Sequence, residues 1–345
     1  MLKERATGAF LGMALGESLA WTSLYHRSYL MPPWTRRLRR EIDSRAEGDG
    51  LLQIALPFTL NQPTEAFSLG PADKVEWACF QAQVLAESGG RYCRDLAVAA
   101  WLRLTHQKEK LRFGLSQRAA LENLTRGKGP PVSGNDNPHY FDDSACFRAI
   151  PIGVAYAGRS VEAGGTAYYD AAISNAYEGV WAAQAVAGAI AVACAGGDVT
   201  SAVETAAGYL PKGTWIDDLT RRALDSICKA KSLVELVFRL NQEIVDVIYS
   251  YGNSAAQTVA LSLAISRFVA GDLERGVFAA LSLARSAESV PALVGALCGA
   301  LTGPVGLSGF VIDRISTLRG IALPTLAGLD VRTIVDQLCS SISCT

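Results

Sequence analysis

Histidine and methionine are scarce, at three residues each among 345, and only 19% of the chain is charged. His26, His106 and His139 stand far apart, and the eight cysteines (79, 93, 146, 194, 228, 298, 339 and 344) form no Cys-x-x-Cys pair. A structural zinc site therefore has no ligand set to draw on. The formal net charge is −1, which leaves no global field to attract nucleic acid or an anionic membrane. The apolar run 182–195 falls short of the roughly 18 residues that a membrane span requires. Also missing are a convincing alternating strand, a fixed-period repeat, a Gly-rich phosphate loop, a Ser-His-Asp order and a Cys-His pairing. His26 and His139 read as lone surface histidines in irregular segments. Met1-Leu2-Lys3-Glu4-Arg5 mixes both signs of charge before a Gly-punctuated apolar run, unlike a signal peptide. With the cysteines read as buried reduced thiols, the expected location is cytoplasmic, with no membrane and no nucleic acid as partner.

What the chain has in abundance is apolar surface, at 50% hydrophobic residues, arranged with helical periodicity. The pattern predicts helices over 3–21, 74–88, 92–104, 115–124, 144–157, 163–173, 178–195, 199–209, 215–229, 233–249, 255–269, 273–283 and 289–301. Gly70-Pro71, Gly89-Gly90, Gly129-Pro130-Pro131, Gly196-Gly197 and Gly252-Asn253 punctuate them. Small residues saturate several helices (Ala182, Ala183, Ala185, Ala187, Gly188, Ala189), which allows close helix approach. The expectation is an all-α fold: a single compact many-helix domain over 1–345, with an irregular flap-like segment at about 25–70. That segment carries Arg36-Arg37-Leu38-Arg39-Arg40, read as a solvated face, a partner contact or a phosphate-contacting flap.

Chemistry concentrates near the end of the chain. Ala284-Arg285-Ser286-Ala287-Glu288-Ser289 leads into a helix in which Gly295 and Gly299 share one face. Ser286, Glu288 and Ser289 thus sit at a helix mouth, where backbone N–H groups and the dipole favour anions or polar ligands. This run resembles the C-terminal signature of the ADP-ribosylglycohydrolase family, Gly-(Gly/Arg)-Asp-x-Asp-Thr before a Gly-Ala-rich helix. Gly8-Ala9-Phe10-Leu11-Gly12-Met13-Ala14-Leu15-Gly16-Glu17-Ser18-Leu19-Ala20 resembles the family's opening helix, with Glu17 where that family has Asp. Pro71-Ala72-Asp73-Lys74-Val75-Glu76-Trp77-Ala78 is similar to its Thr-Asp-Asp-Thr segment. Asp142-Asp143-Ser144-Ala145-Cys146-Phe147-Arg148-Ala149-Ile150-Pro151-Ile152-Gly153 resembles the Asn-Gly-Ala-Ala-Met-Arg-x-x-Pro-Ile-Gly element. Asn175 stands where a histidine is usual, and Gly252-Asn253 fits the segment before the last motif.

The resemblance implies an ADP-ribosylglycohydrolase fold and a site in which magnesium, held by early and late Asp/Thr oxygens, positions a ribose and activates water. Here the early segment offers Ala72, Asp73, Lys74 and Val75, and the late one Ser286, Glu288 and Ser289. Two carboxylates and an ammonium replace four aspartates. At an effective dielectric of about 20, one unit-charge pair at 4 Å is worth roughly 4 kcal/mol, so magnesium binding is expected to be weak or lost, with no metal and no cofactor. Asp73 and Glu288 are the candidate catalytic residues. Glu17, Lys74, Ser144, Asn175, Asn253, Arg285, Ser286 and Ser289 are candidate ligand contacts. Simpler readings make Asp73 an N-cap, Glu288 a dipole-complementing residue and Asp142-Asp143 a loop and cap. Three functions follow from the resemblance. One is a pseudoenzyme that binds an ADP-ribose- or nucleoside-like ligand, a protein partner or a paralogue. Another is an active N-glycosyl hydrolase of ADP-ribosyl or ribosyl compounds, metal-independent or weakly metal-dependent. The last is a structural, crystallin-like protein.

Overall fold

Two helices from opposite ends of the chain, Leu2–Tyr25 (α1) and Val290–Thr302 (α14), pack so closely that glycine lies on glycine. A Cβ added at Gly8, Gly12 or Gly16 would collide with the carbonyl oxygen of Gly299, Gly295 or Pro291 respectively. The pairing runs backward along one helix as it runs forward along the other, so the two are antiparallel. The four-residue glycine spacing on each chain segment is what permits this approach. Residues Val290 to Ala300 are all buried, as befits a helix that is apolar on every side.

The computed structural model describes residues 1–25, 69–106, 111, 112, 114–245, 254–283 and 286–342, the side chains of 21–25 excepted. The remaining helices among these residues are Asp73–Glu87 (α2), Arg94–Thr105 (α3), Leu115–Thr125 (α4), Val132–Asn135 (α5), Ser144–Ala155 (α6), Ser160–Ser174 (α7), Glu178–Cys194 (α8) and Val199–Gly208 (α9). They continue with Trp215–Lys229 (α10), Leu233–Glu243 (α11), Ala255–Phe268 (α12), Leu273–Leu281 (α13), Gly309–Ser316 (α15) and Val331–Ile342 (α16). No strand occurs among the described residues, only the isolated bridges Asp142–Ser254 and Thr317–Asp330. The protein is all-α, as the periodicity predicts.

The alanine-rich α8 is the second packing centre and touches α6, α7, α9, α12 and α14. Outer helices are amphipathic. In α10 the buried residues Ile216, Leu219, Thr220, Ala223 and Ser226 face the core, at the spacing of one helix face. Side-chain caps by Asp198, Thr214, Ser232, Ser254, Asp272 and Ser308 fix where many of these helices begin, by satisfying a free N–H of the first turn.

The structure departs from the sequence expectation in three places. The predicted helix over 233–249 ends at Glu243. The short α5 and two helices beyond residue 301, α15 and α16, are additional. The last of these buries Val331, Ile334, Val335 and Leu338 against α1 and α2. Most of the flap-like segment, with Arg36–Arg40 and His26, lies outside the described residues, as do Asn253 and Arg285. Among the described residues no helix is long and apolar enough to cross a membrane.

Candidate functional site

The starts of α2, α4 and α6 and the turn before α14 converge on one cleft of about 300 Å³. Asp73 and Lys74 come from α2, Asp142, Asp143 and Ser144 from the α6 start, and Glu288 from the turn into α14. Trp77, Leu115 and Phe147 supply apolar wall, and His139 lies at the same cleft.

Lys74 occupies the middle of this arrangement. Its Nζ lies 3.7 Å from Asp73 Oδ1 and 3.8 Å from Glu288 Oε1, and 5.6 Å from the centre of the Phe147 ring. The side chain is 8% exposed, against 39% for Asp73 and 44% for Glu288. Burial works to lower the Lys74 pKa, but the carboxylates of Asp73, Glu288, Glu17 and Asp143 outweigh it and hold the ammonium above the ordinary lysine value. Lys74 is therefore a fixed cation rather than a nucleophile.

The position of Lys74 is set from α1. Glu17 accepts hydrogen bonds from the backbone N–H of Ala72 (2.8 Å), Lys74 (2.7 Å) and Val75 (3.2 Å). It does for α2 what an N-cap does, since the N-cap residue is Ala72 and has no side chain to offer. Asp73 is accordingly the first helical residue and not the N-cap. Burial, followed by the Asp73 charge, raises the Glu17 pKa to about 8, against the opposing pull of Lys74 and the backbone donors. In the same first turn, Glu76 accepts from the N–H groups of Ile321, Ala322 and Leu323 at 2.7–2.9 Å. α2 is thus tied to both ends of the chain.

The opposite wall is a hydrogen-bonded network. Asp142 Oδ1 accepts from Ser144 N–H (3.1 Å) and Asn175 Nδ2 (2.9 Å). Asn175 Nδ2 also donates to the carbonyls of Tyr140 and Asp142, while its Oδ1 accepts from the hydroxyls of Ser144 and Ser174. Asp143 points the other way: its Oδ2 accepts from Thr258 Oγ1 at 2.6 Å, and the Ser289 side chain adds a further hydrogen bond. Burial raises Asp143 to about 7, although Lys74 and the Thr258 hydroxyl oppose the shift.

Behind this wall Arg148 and Asp170 form a fully buried ion pair, Nε to Oδ2 at 2.8 Å. The guanidinium also donates to Ser174 Oγ and the Ser144 carbonyl. Its carbon lies 4.9 Å from the Trp101 ring centre and 5.9 Å from that of Trp77, where cation–π attraction adds to the ion pair.

Of the residues singled out by sequence, Asp73, Lys74, Ser144 and Glu288 line the cleft. Glu17 caps α2 and Asn175 is committed to the internal network; both are 1% exposed. Ser286 is buried, and its carbonyl accepts from Ser289 and Val290 N–H. Ser289 is buried against Asp143. His139, read as a surface residue, lines the cleft, its ring 6.0 Å from that of Phe141. Asp143 is more than a loop residue, because α6 aims it inward at Thr258 and Lys74. Its signal was an adjacent acidic pair just before a helix. Nothing in local spacing singled out Thr258, Trp77 or Leu115.

A magnesium site needs several uncommitted oxygens. The carboxylate of Glu17 and one oxygen each of Asp142 and Asp143 are already spent on protein donors. Among the described residues no group of three or more His, Cys, Asp and Glu is placed to hold a metal ion.

The fold has a close match among solved structures. An ADP-ribosylglycohydrolase-related protein complex superposes with a TM-score of 0.62 at 19% identity, over 99% of this chain and 97% of that one. No curated protein sequence matches the chain significantly. The sequence profile for ADP-ribosylglycohydrolases matches residues 1–340. That span takes in the glycine-lined α1, the α2 and α6 starts and the turn into α14, and on it the chain belongs to the ADP-ribosylglycohydrolase family.

Proposed function

We propose that this cleft binds an ADP-ribose- or nucleoside-like ligand, or a protein partner, without dinuclear magnesium catalysis. The observation that carries the reading is Lys74 Nζ, 3.7 and 3.8 Å from the partly exposed carboxylates of Asp73 and Glu288. The donor set does not fit a pair of divalent ions. Among the described residues, Asp73 and Glu288 are the cleft carboxylates with no backbone or hydroxyl donor, and they share one ammonium. A magnesium ion placed between them would meet that ammonium within a few ångströms, where each unit of charge repels by roughly 4 kcal/mol at an effective dielectric of about 20. The lysine supplies in permanent form part of the positive charge that a metal would otherwise provide.

The test is product release from ADP-ribosyl-arginine, ADP-ribosyl-serine and a panel of N-ribosyl compounds, with and without magnesium. Turnover is expected to be undetectable or very slow. Each lost transition-state contact of about 3 kcal/mol costs roughly a hundredfold in rate, and Ala72, Lys74 and Ser286 stand at three positions where the family has metal-binding oxygens. The assay is run beside Asp73→Ala/Glu288→Ala; robust turnover abolished in that double variant refutes the binding-only reading.

A second reading, a metal-independent N-glycosyl hydrolase, is favoured by Asp143. A buried carboxyl raised to about 7, beside the partly exposed Asp73 and Glu288, is the kind of divergent carboxylate set that serves as acid and base in glycoside hydrolysis. The seven described cysteines are all free, which supports placing the protein in a reducing compartment such as the cytoplasm.

A further inference from the structure

We propose that the cleft selects a phosphate-free N-ribosyl compound, neutral or cationic, over its phosphorylated counterparts. This rests on the ribosyl-ligand reading above and narrows it to a ligand class. A phosphate is held by an unshared cation, an arginine fork or a cluster of free helix N–H groups. Lys74 is the one Lys or Arg among the described residues lining the cleft, and its charge is shared by Asp73 and Glu288.

At each helix start around the cleft, where an anion would ordinarily be attracted, the protein takes N–H groups for itself; at α4 the Gln117 side chain takes that of Gly114. Glu17 takes the N–H groups of Ala72, Lys74 and Val75 at the start of α2. Asp142 takes that of Ser144 at the start of α6. At α14 the Val290 N–H goes to the Ser286 carbonyl, and Pro291 has none to give.

What the cleft offers instead suits a sugar and a planar group. Asp73 and Glu288 are partly exposed, and their oxygens accept hydrogen bonds from ribose hydroxyls. Trp77, Leu115 and Phe147 give apolar wall for a base. A cationic base gains further from Asp142 and Glu288, whereas phosphate oxygens, acceptors only, meet like charge. The volume of about 300 Å³ stands at the bottom of the range for small-molecule sites, nearer to a nucleoside than to a dinucleotide-like ligand.

The experiment is isothermal titration of the full chain with nicotinamide riboside, its 5′-monophosphate and ADP-ribose, at an ionic strength of about 0.15 M. The nucleoside is expected to bind roughly tenfold or more tightly than either phosphorylated compound, a difference of about 1.4 kcal/mol or more. Glu288→Gln, which removes one of the two charges sharing Lys74, should narrow that ratio. Equal or tighter binding of the monophosphate or ADP-ribose overturns this inference and leaves the ribosyl reading standing. A ratio unchanged in Glu288→Gln refutes its electrostatic basis. No binding of any of the three by protein shown to be folded overturns the ribosyl reading, and this inference with it.

Discussion

Replacing Lys74 by methionine keeps an unbranched side chain one atom shorter and deletes its charge. In the native protein that charge lies 3.7 Å from Asp73 and 3.8 Å from Glu288, each pair worth roughly 4 kcal/mol gross at an effective dielectric of about 20. Those figures exceed the net effect, because both carboxylates are more than a third exposed and water screens them. Breaking a fully buried pair costs about 3–5 kcal/mol, so with screening the expected loss is about 2–3 kcal/mol. Urea denaturation at pH 7.5 reads it as a lower midpoint with an unchanged slope. The same variant leaves Asp73 and Glu288 without the cation they share, and millimolar magnesium should then recover part of the loss by binding the folded state. The wild-type midpoint should not respond to magnesium. A Lys74→Met protein as stable as wild type, or a wild-type protein stabilised by magnesium, would refute the internal-cation argument.

Glu17→Ala leaves three buried N–H groups at the start of α2 without their acceptor, so a loss of about 1–3 kcal/mol is expected; Glu17→Gln, which keeps one acceptor oxygen, should lose less in the same urea titration. Gly12→Ala drives a Cβ into the Gly295 carbonyl, and because backbone cannot yield as a side chain does, the cost should exceed about 3 kcal/mol, at the upper end for overpacking, visible as a large drop in melting temperature. For Asp143, the folded pKa of about 7 lies above the ordinary 3.8, so the folded chain binds more protons than the unfolded chain between those values. Its contribution is therefore fully present below about pH 4 and is lost as pH rises toward 7, by about 1.4 kcal/mol per unit at most. Glu17, raised from 4.5 to about 8, adds a slope of the same sign. Denaturation midpoints from pH 4 to 8 should fall less steeply in Asp143→Asn than in wild type, and parallel profiles would contradict the assignment.

Much of the architecture was written in local pattern. Apolar residues at helical spacing, with Gly and Pro between them, specify an all-helical chain, because a helix buries one stripe at a period that any reader of the sequence can measure. Gly295 and Gly299 of α14 announced close packing, and the motif register placed Asp73, Lys74 and Glu288 at helix starts. The partners were another matter. That Glu17 caps a helix beginning 56 residues later, that Asp143 turns to Thr258 rather than to its own helix, that Asn175 serves Asp142 and Ser144, and that His139 enters the cleft all depend on how α1, α6, α7 and α12 cross. The buried Arg148–Asp170 pair is of the same kind. Local propensity decides which residues share a helix face. The angles and depths at which faces meet are decided by the packing of all the helices together, and only that packing settles which charge stands opposite which.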